Sequence, residues 1–416
     1  MSNLLVTMSD SNLVRLLLTS QFSIKFGFTL LMPYLAGHLT HGLGLTASAV
    51  GLILGIRNAS QRGLALVGGH LADRFGCRAA VVTGCALRSA GFGLLAFADR
   101  VPALVLASAA TGFAGALFDP GIRTMLATVA GDRRTILFGR FNMAGQAGLL
   151  LGPLAGLVLA ALDFRLVALV AAAVFAVLAM VQAVALPAVA ATAPREDRAG
   201  WRRVLRDRYF LVFSLAMAGS YLLPFQIYVT VPLVMGRTLG PEQDFGMGEL
   251  FALSAVLAIA LQGRVGAWAA KRWSPPRCLA AGLVVMALAF VPLVAFPQPV
   301  VPSVLNEEVA EHLAMLPMLT GAALLAVGTM LICPFEMDVI VRLSRGRLVA
   351  THYGLYSTVS GVATAVGNLL TGLMWESTHR WLPWTTFVAL GCGCALGVAL
   401  LNRRRPLTPA RPAPLG

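Results

Sequence analysis

Apolar residues run along this chain in long blocks separated by short polar stretches. The blocks fall at 13–38, 46–69, 79–98, 102–128, 136–161, 164–187, 208–236, 247–268, 278–297, 312–341, 352–374 and 382–402. A helix needs about 20 mostly apolar residues to cross the hydrocarbon core of a bilayer, and every block reaches that length. In lipid the backbone must satisfy its own hydrogen bonds, so the blocks predict helices. The expected fold is all-α, with twelve transmembrane helices. The longest internal polar gap, 190–208, follows the sixth block and carries Arg195, Arg198, Arg202, Arg203, Arg206 and Arg208. It divides the chain into an N-terminal six-helix bundle at 1–189, a cytoplasmic linker at 190–208 and a C-terminal six-helix bundle at 209–402. From Trp201 onward the linker reads as an amphipathic helix on the membrane surface. A second insertion, 298–311, contains Glu307, Glu308 and Glu311 and is placed outside. The stretch 403–416, with Arg403, Arg404, Arg405 and several prolines, reads as a disordered basic tail.

Composition supports the bilayer. Of 416 residues 58% are hydrophobic and 12% charged, against about a quarter charged in a soluble domain. The net charge of +14 would raise nucleic-acid binding in a soluble protein. Here it follows the gathering of basic residues in cytoplasmic loops, and no nucleic-acid partner is expected. With both termini inside, 22 of the 32 Lys and Arg lie in or beside cytoplasmic segments. Arg100, Arg165, Arg237 and Arg380 lie outside, and Lys25, Arg57, Arg62, Arg88, Arg123 and Arg264 lie within blocks. That asymmetry sets both termini in the cytoplasm, with the chain in the inner membrane. The first block lacks a small-residue cleavage site and is expected to stay as the first helix. The six cysteines and six histidines show no metal-ligand spacing. No glycine-lysine phosphate loop is present, so ATP-driven transport, an enzyme activity and a cofactor are not expected.

The two halves echo each other. Phe138-Gly139-Arg140-Phe141 opens the fifth block, and Tyr353-Gly354-Leu355-Tyr356 opens the eleventh. At the same offset Gly152 meets Gly367 and Arg165 meets Arg380. Ala72-Asp73-Arg74-Phe75 after the second block is matched by Ala270-Lys271-Arg272-Trp273 after the eighth. Asp119 and Arg123 in the fourth are matched by Asp338 and Arg342 in the tenth. Such a repeat is the signature of a rocking transporter.

The sharpest local motif is Gly69-His70-Leu71-Ala72-Asp73-Arg74-Phe75-Gly76-Cys77-Arg78, between the second and third blocks. Gly69 and Gly76 permit a tight reversal. Asp73 can accept hydrogen bonds from a neighbouring helix N-terminus, where the dipole favours an anion. Arg74 and Arg78 can pair with carboxylates or helix C-termini, so the set reads as a conformational latch. In the fifth block, Gly148, Gly152, Pro153 and Gly156 form a helix-packing motif of small residues. The loop resembles the signature loop of the major facilitator superfamily, and the glycine-proline run resembles that of its drug:proton antiporter branch. Four further stretches are similar to a multidrug-resistance group within it: Gly55 to Gly63, Leu87 to Phe92, Phe118-Asp119-Pro120, and Ala218 to Gln226. Cys77 stands where the superfamily often has a basic residue, which leaves Arg78 to serve any charge relay. The resemblance implies two pseudo-symmetric bundles, alternating access, and export of a small molecule coupled to inward proton flow. A monomer is expected.

Ionisable residues within a bilayer are costly and face a partner or a water-filled path. Lys25, Arg57, Asn58, Gln61 and Arg88 are read as substrate-cavity residues of the N-terminal half, joined by Tyr221, Gln226 and Tyr228 in the proline-bearing seventh block. Glu336, Asp119 and Asp338 are the proton-coupling residues to weigh. Asp119–Arg123 and Asp338–Arg342 have the spacing of a structural ion pair, and that reading stands beside the proton site. Glu336 has no basic residue three or four positions away and so holds its proton more readily. Arg57 has an alternative reading as a bridge to Asp119. The excess of cations over acids in the N-terminal half opens a second function: export of an anionic metabolite such as a siderophore or organic acid. A third reading, a receptor or scaffold that transports nothing, has no appended signalling domain to support it.

Overall fold

The computed structural model describes residues 10–187, 200–226, 244–295, 307–375, 379 and 381–407. Among them every regular element is a helix. In the first half these are α1 (Asp10–Gly37), α2 (Ala47–Gly63), α3 (Ala65–Phe75), α4 (Cys77–Phe97), α5 (Val101–Ala130), α6 (Arg134–Ala160) and α7 (Phe164–Ala185). Next come α8 (Gly200–Arg206) and α9 (Arg208–Gln226), the latter broken at Met217 and Ala218. The rest are α10 (Asp244–Arg272), α11 (Pro275–Leu288), α12 (Val291–Ala295), α13 (Glu307–Leu343), α14 (Val349–Trp375) and α15 (Leu382–Arg404).

Within the described residues each apolar block is largely helical. Among the described residues nine helices are long and apolar enough to cross a membrane, matching all blocks except the first, second and eleventh. Those three are helical too, as α1, α2 with α3, and α14, but polar side chains dilute them. Lys25 sits in α1, Arg57 to Arg62 in α2, and a series of Thr, Ser and Asn in α14. Local signals set several ends. Thr46 caps α2 by accepting from the Ala49 N–H at 3.4 Å, and Asp163 caps α7 by accepting from Arg165 N–H at 2.9 Å. The reversal from α3 to α4 turns on Gly76 at φ 94°, a conformation that glycine alone adopts freely.

Three expectations need correction. Residues 403–407 are not a disordered tail: α15 runs to Arg404, Leu407 is fully buried, and Tyr209 donates to the Arg405 carbonyl at 2.6 Å. The acidic end of the second insertion is helical, because α13 already starts at Glu307. Block seven is not one smooth helix up to 226, and its remainder lies outside the described residues.

Packing divides the chain into two compact units. One comprises Met1–Arg208 with Ser344–Gly361, the other Tyr209–Leu343 with Val362–Gly416. The units divide between Arg208 and Tyr209, and a second division, between Gly361 and Val362, runs inside α14. In the first unit α1 packs on α6, α4 on α5 and α7, and α2 on α5. In the second α11 packs on α13 and α15, and α10 on α13. The same pairings of blocks recur six blocks apart. α6 and α14 are both 27 residues long, and their matched glycines meet matched partners. Gly152 lies against α1 and Gly367 against Leu222 of α9.

Candidate functional site

The site of the first unit begins with a seam between α1 and α6. A Cβ placed on Gly148 would lie 2.4 Å from the Phe22 carbonyl oxygen, and one on Gly156 2.2 Å from that of Leu30. On Gly152 it would meet the Thr29 hydroxyl at 2.1 Å. Only glycine lets the two helices approach this closely, and the contact is sealed by polar groups. Thr29 donates to the Gly148 carbonyl at 3.2 Å and Tyr34 to that of Pro153 at 2.5 Å. The stem of Lys25 lies along the same seam, its Cβ 3.0 Å from where a Gly148 side chain would begin. Lys25 is half-buried, and its ammonium has no hydrogen bond or ion pair among the described residues. The charges that act on it are Asp119, Arg123, Arg88 and Arg62.

One turn further along α1, Phe28 presents its ring to two guanidinium groups. Arg57 Cζ lies 4.4 Å from the ring centroid and Arg88 Cζ 5.5 Å, distances at which a cation is attracted to a π face. The two arginines are held differently. Arg88 is 2% exposed and donates through Nε and Nη2 to the Thr111 carbonyl of α5 at 3.2 and 2.7 Å. Phe118 at 4.8 Å and Phe175 at 5.5 Å complete an aromatic enclosure. The structure therefore corrects the expectation of Arg88 as a cavity residue: rings from α1, α5 and α7 close it off. Arg57 donates to Asn58 Oδ1 at 2.9 Å and Gln61 Oε1 at 3.0 Å, both neutral acceptors, and its buried Nε has no partner among the described residues. Gly115 makes room for this arrangement, since a Cβ there would meet Arg88 Nη2 at 2.7 Å and the Gln61 amide at 2.8 Å.

Asp119 is half-buried beside these cations and acts on Lys25 and Arg88. Among the described residues it forms no ion pair with Arg57 or Arg123, so neither bridge envisaged for it is made.

The loop motif is also part of the first unit, and it grips the start of α14. Asp73 is fully buried. Its carboxylate accepts the Ala350 N–H at 3.3 Å, the Thr351 N–H at 2.7 Å and the Thr351 hydroxyl at 2.6 Å. Ala350 and Thr351 belong to the first turn of α14, where the helix dipole welcomes an anion. Burial raises the Asp73 carboxyl above the usual range, while the Thr351 and Ala350 hydrogen bonds pull it back. Gly69 lets the backbones touch, a Cβ there lying 2.1 Å from the Ala350 carbonyl oxygen. Thr358, two turns along, donates to the Arg62 carbonyl at 2.9 Å and accepts from Leu66 N–H at 3.2 Å. Arg78 donates to the Ala183 carbonyl near the end of α7, whereas Arg74 is exposed and rests on the Phe75 ring.

The second unit holds its own polar groups. Asp338 and Arg342 are paired at 2.7 Å. Glu336 is 3% exposed, and its Oε2 lies 3.3 Å from Ser220 Oγ. Gln226 is fully buried, donates to Asn368 Oδ1 at 3.1 Å and accepts from Thr371 at 3.3 Å. Tyr221 is half-buried, and Tyr228 lies outside the described residues. Four partners escaped the sequence reading: Phe28 as a cation seat, Gly115, Ser220, and the Asn368–Thr371 pair. Asn368 and Thr371 carried a usable signal, being polar residues at helical spacing within an apolar block.

The comparisons with known proteins decide what these bundles are. The family model described as Major Facilitator Superfamily matches residues 17–306. The chain belongs to the major facilitator superfamily. It is a multi-pass membrane protein of a transporter family. A protein of Mycobacterium tuberculosis strain ATCC 25618 / H37Rv, named as an uncharacterized MFS-type transporter, is 42% identical over 395 residues. That match covers 93% of each chain. The multidrug resistance protein MdtH of Yersinia pestis strain Pestoides F is 34% identical over 279 residues, 67% of this chain and 69% of its own.

Proposed function

We propose that this member of the superfamily is a proton-coupled antiporter that exports small organic molecules across the inner membrane by alternating access, with both termini cytoplasmic. The observation that carries the reading is the position of Glu336. Ser220 Oγ lies 2.7 Å from the Met217 carbonyl oxygen and 3.3 Å from Glu336 Oε2. A serine hydroxyl has one proton to give. The Met217 carbonyl can only accept and takes the shorter contact. The longer contact, in which Ser220 is placed to donate to Glu336 Oε2, sets a hydroxyl of α9 against the buried acid of α13. A carboxyl buried within a membrane-spanning helix and faced by a hydroxyl is suited to proton exchange.

Asp119 supports the same reading less directly, as the acid among the cations of the first unit. Asp338 is tied to Arg342 and serves better as structure, since removing one partner of such a pair strands the other charge. The name multidrug resistance protein carried by the relative from Yersinia pestis favours drug-like cargo, and the membrane-embedded polar groups of both units are where cargo would bind. The test is proteoliposomes enclosing a pH-sensitive dye, challenged with ethidium and with an organic acid. The wild type is expected to move protons against probe flux. Glu336→Gln is expected to lose proton movement while still exchanging labelled probe for unlabelled. Wild-type probe flux without proton movement would overturn the reading.

A further inference from the structure

The proposed export role leaves open what kind of molecule the first unit recognises, and the inference here rests on that role. We infer that Arg57 is the anion-binding group of the transport path and that the cargo it selects is an organic carboxylate with an apolar or aromatic body.

Three observations support this. First, Arg57 is buried to 9% exposure without an acidic partner among the described residues: the charges that act on it are two more arginines, Arg88 and Arg62. Asp119, the acid of this region, acts on Lys25 and Arg88 instead. A cation held among cations in a low-dielectric surround is missing a counter-charge. Second, the guanidinium is positioned but not saturated. Of its five N–H groups, one goes to Asn58 and one to Gln61, and the buried Nε has no acceptor. The two amide oxygens fix the plane of the group and leave donors over, and a planar fork of donors matches a carboxylate. Third, the group rests on Phe28 at 4.4 Å, so an apolar body attached to the anion meets an aromatic face beside it. Lys25, three residues before Phe28 on α1 and without a partner among the described residues, adds positive potential on the same helix.

Arg88 does not share this role. Its two bonds to Thr111 and its three rings account for it within the protein.

The experiment measures equilibrium binding to the full chain in nanodiscs of neutral phosphatidylcholine, with no gradient present. The probes are paired acids and amides of one shape: 1-naphthaleneacetate with 1-naphthaleneacetamide, and salicylate with salicylamide. Each acid is expected to bind at least about tenfold more tightly than its amide, since the amide lacks the charge. Arg57→Gln is expected to bring that ratio close to one, and Arg57→Lys to leave an intermediate ratio because charge is kept while the planar fork is lost. Should Arg57→Gln fail to fold, Arg57→Lys carries the test alone, and an unreduced ratio there counts against the inference. Equal binding of acid and amide to the wild type, or no binding of either acid, overturns it. If acid binding is seen in neutral lipid but lost with phosphatidylglycerol present, a lipid headgroup is the natural occupant and the cargo assignment fails. Glu336→Gln is expected to keep the acid–amide ratio, so loss of proton coupling and loss of anion selection are read separately.

Discussion

Two arginines on one phenylalanine ring show how differently a buried charge can be used. Both were legible in the sequence, as basic residues inside apolar blocks. Their difference was not, because it depends on what other helices bring. Arg88 is enclosed by Phe118 of α5 and Phe175 of α7 and hydrogen-bonded to the Thr111 carbonyl. Among the described residues the Arg57 guanidinium is hydrogen-bonded by its own helix neighbours, Asn58 and Gln61, and rests on Phe28. Stability measurements should separate them. Arg88→Leu leaves the Thr111 carbonyl short of its donors and is expected to cost about 1–3 kcal/mol. Arg57→Gln removes a buried charge that has no counter-ion among the described residues, and with it that charge's desolvation cost. Thermal unfolding in detergent should therefore show a lowered midpoint for Arg88→Leu and an unchanged or raised one for Arg57→Gln. Equal losses in both would mean that Arg57, too, is a packing element.

Helices were the most legible level, and their seams were partly legible. Block lengths gave the helices because hydrocarbon thickness dictates them. The run Gly148, Gly152, Gly156 marked a close seam, though not the helix that fills it. α1 fills it, with oxygens of Phe22, Thr29 and Leu30 at 2.1–2.4 Å from the positions that side chains would need. Contacts of this kind are with backbone or a hydrogen-bonded hydroxyl and cannot swing aside. Gly152→Leu is expected to force α1 and α6 apart and to cost about 1–3 kcal/mol or more. It would also break the Thr29 bond to the Gly148 carbonyl. The same change at Gly263, around which a Cβ meets nothing within 4 Å, is expected to be tolerated. Comparison of folded yield by size-exclusion profile, for the two variants side by side, checks the claim. The breaks at Leu64 and at Met217–Ala218 were not legible, since no proline marks either position.

At the scale of the molecule the charge pattern and the repeat carry most of the information. The repeat was readable because equivalent blocks keep equivalent glycines, and the two units do pair their helices alike. The assignment of Ser344–Gly361 to the first unit was not readable, because its far boundary lies within α14. Its first turns take their partners from Asp73, Gly69 and Arg62, about 280 residues or more away in sequence, and no local pattern reports a contact of that separation. Orientation, in contrast, is a statement about loops and is argued from sequence alone. With 22 basic residues expected on one side and four on the other, the charge bias predicts that the turn between α6 and α7 faces outward and the turn between α5 and α6 inward. Leu162 in the first turn is 74% exposed. A Leu162→Cys variant is therefore expected to react in intact cells with a membrane-impermeant maleimide. An Arg133→Cys variant is expected to react only after the membrane is permeabilised. The native thiols give the baseline: Cys77, Cys85, Cys278 and Cys394 are buried, and Cys333, half-buried, and Cys392, exposed, lie inside the apolar α13 and α15, where a charged aqueous reagent does not reach. Reversed labelling of the two variants would invert the topology.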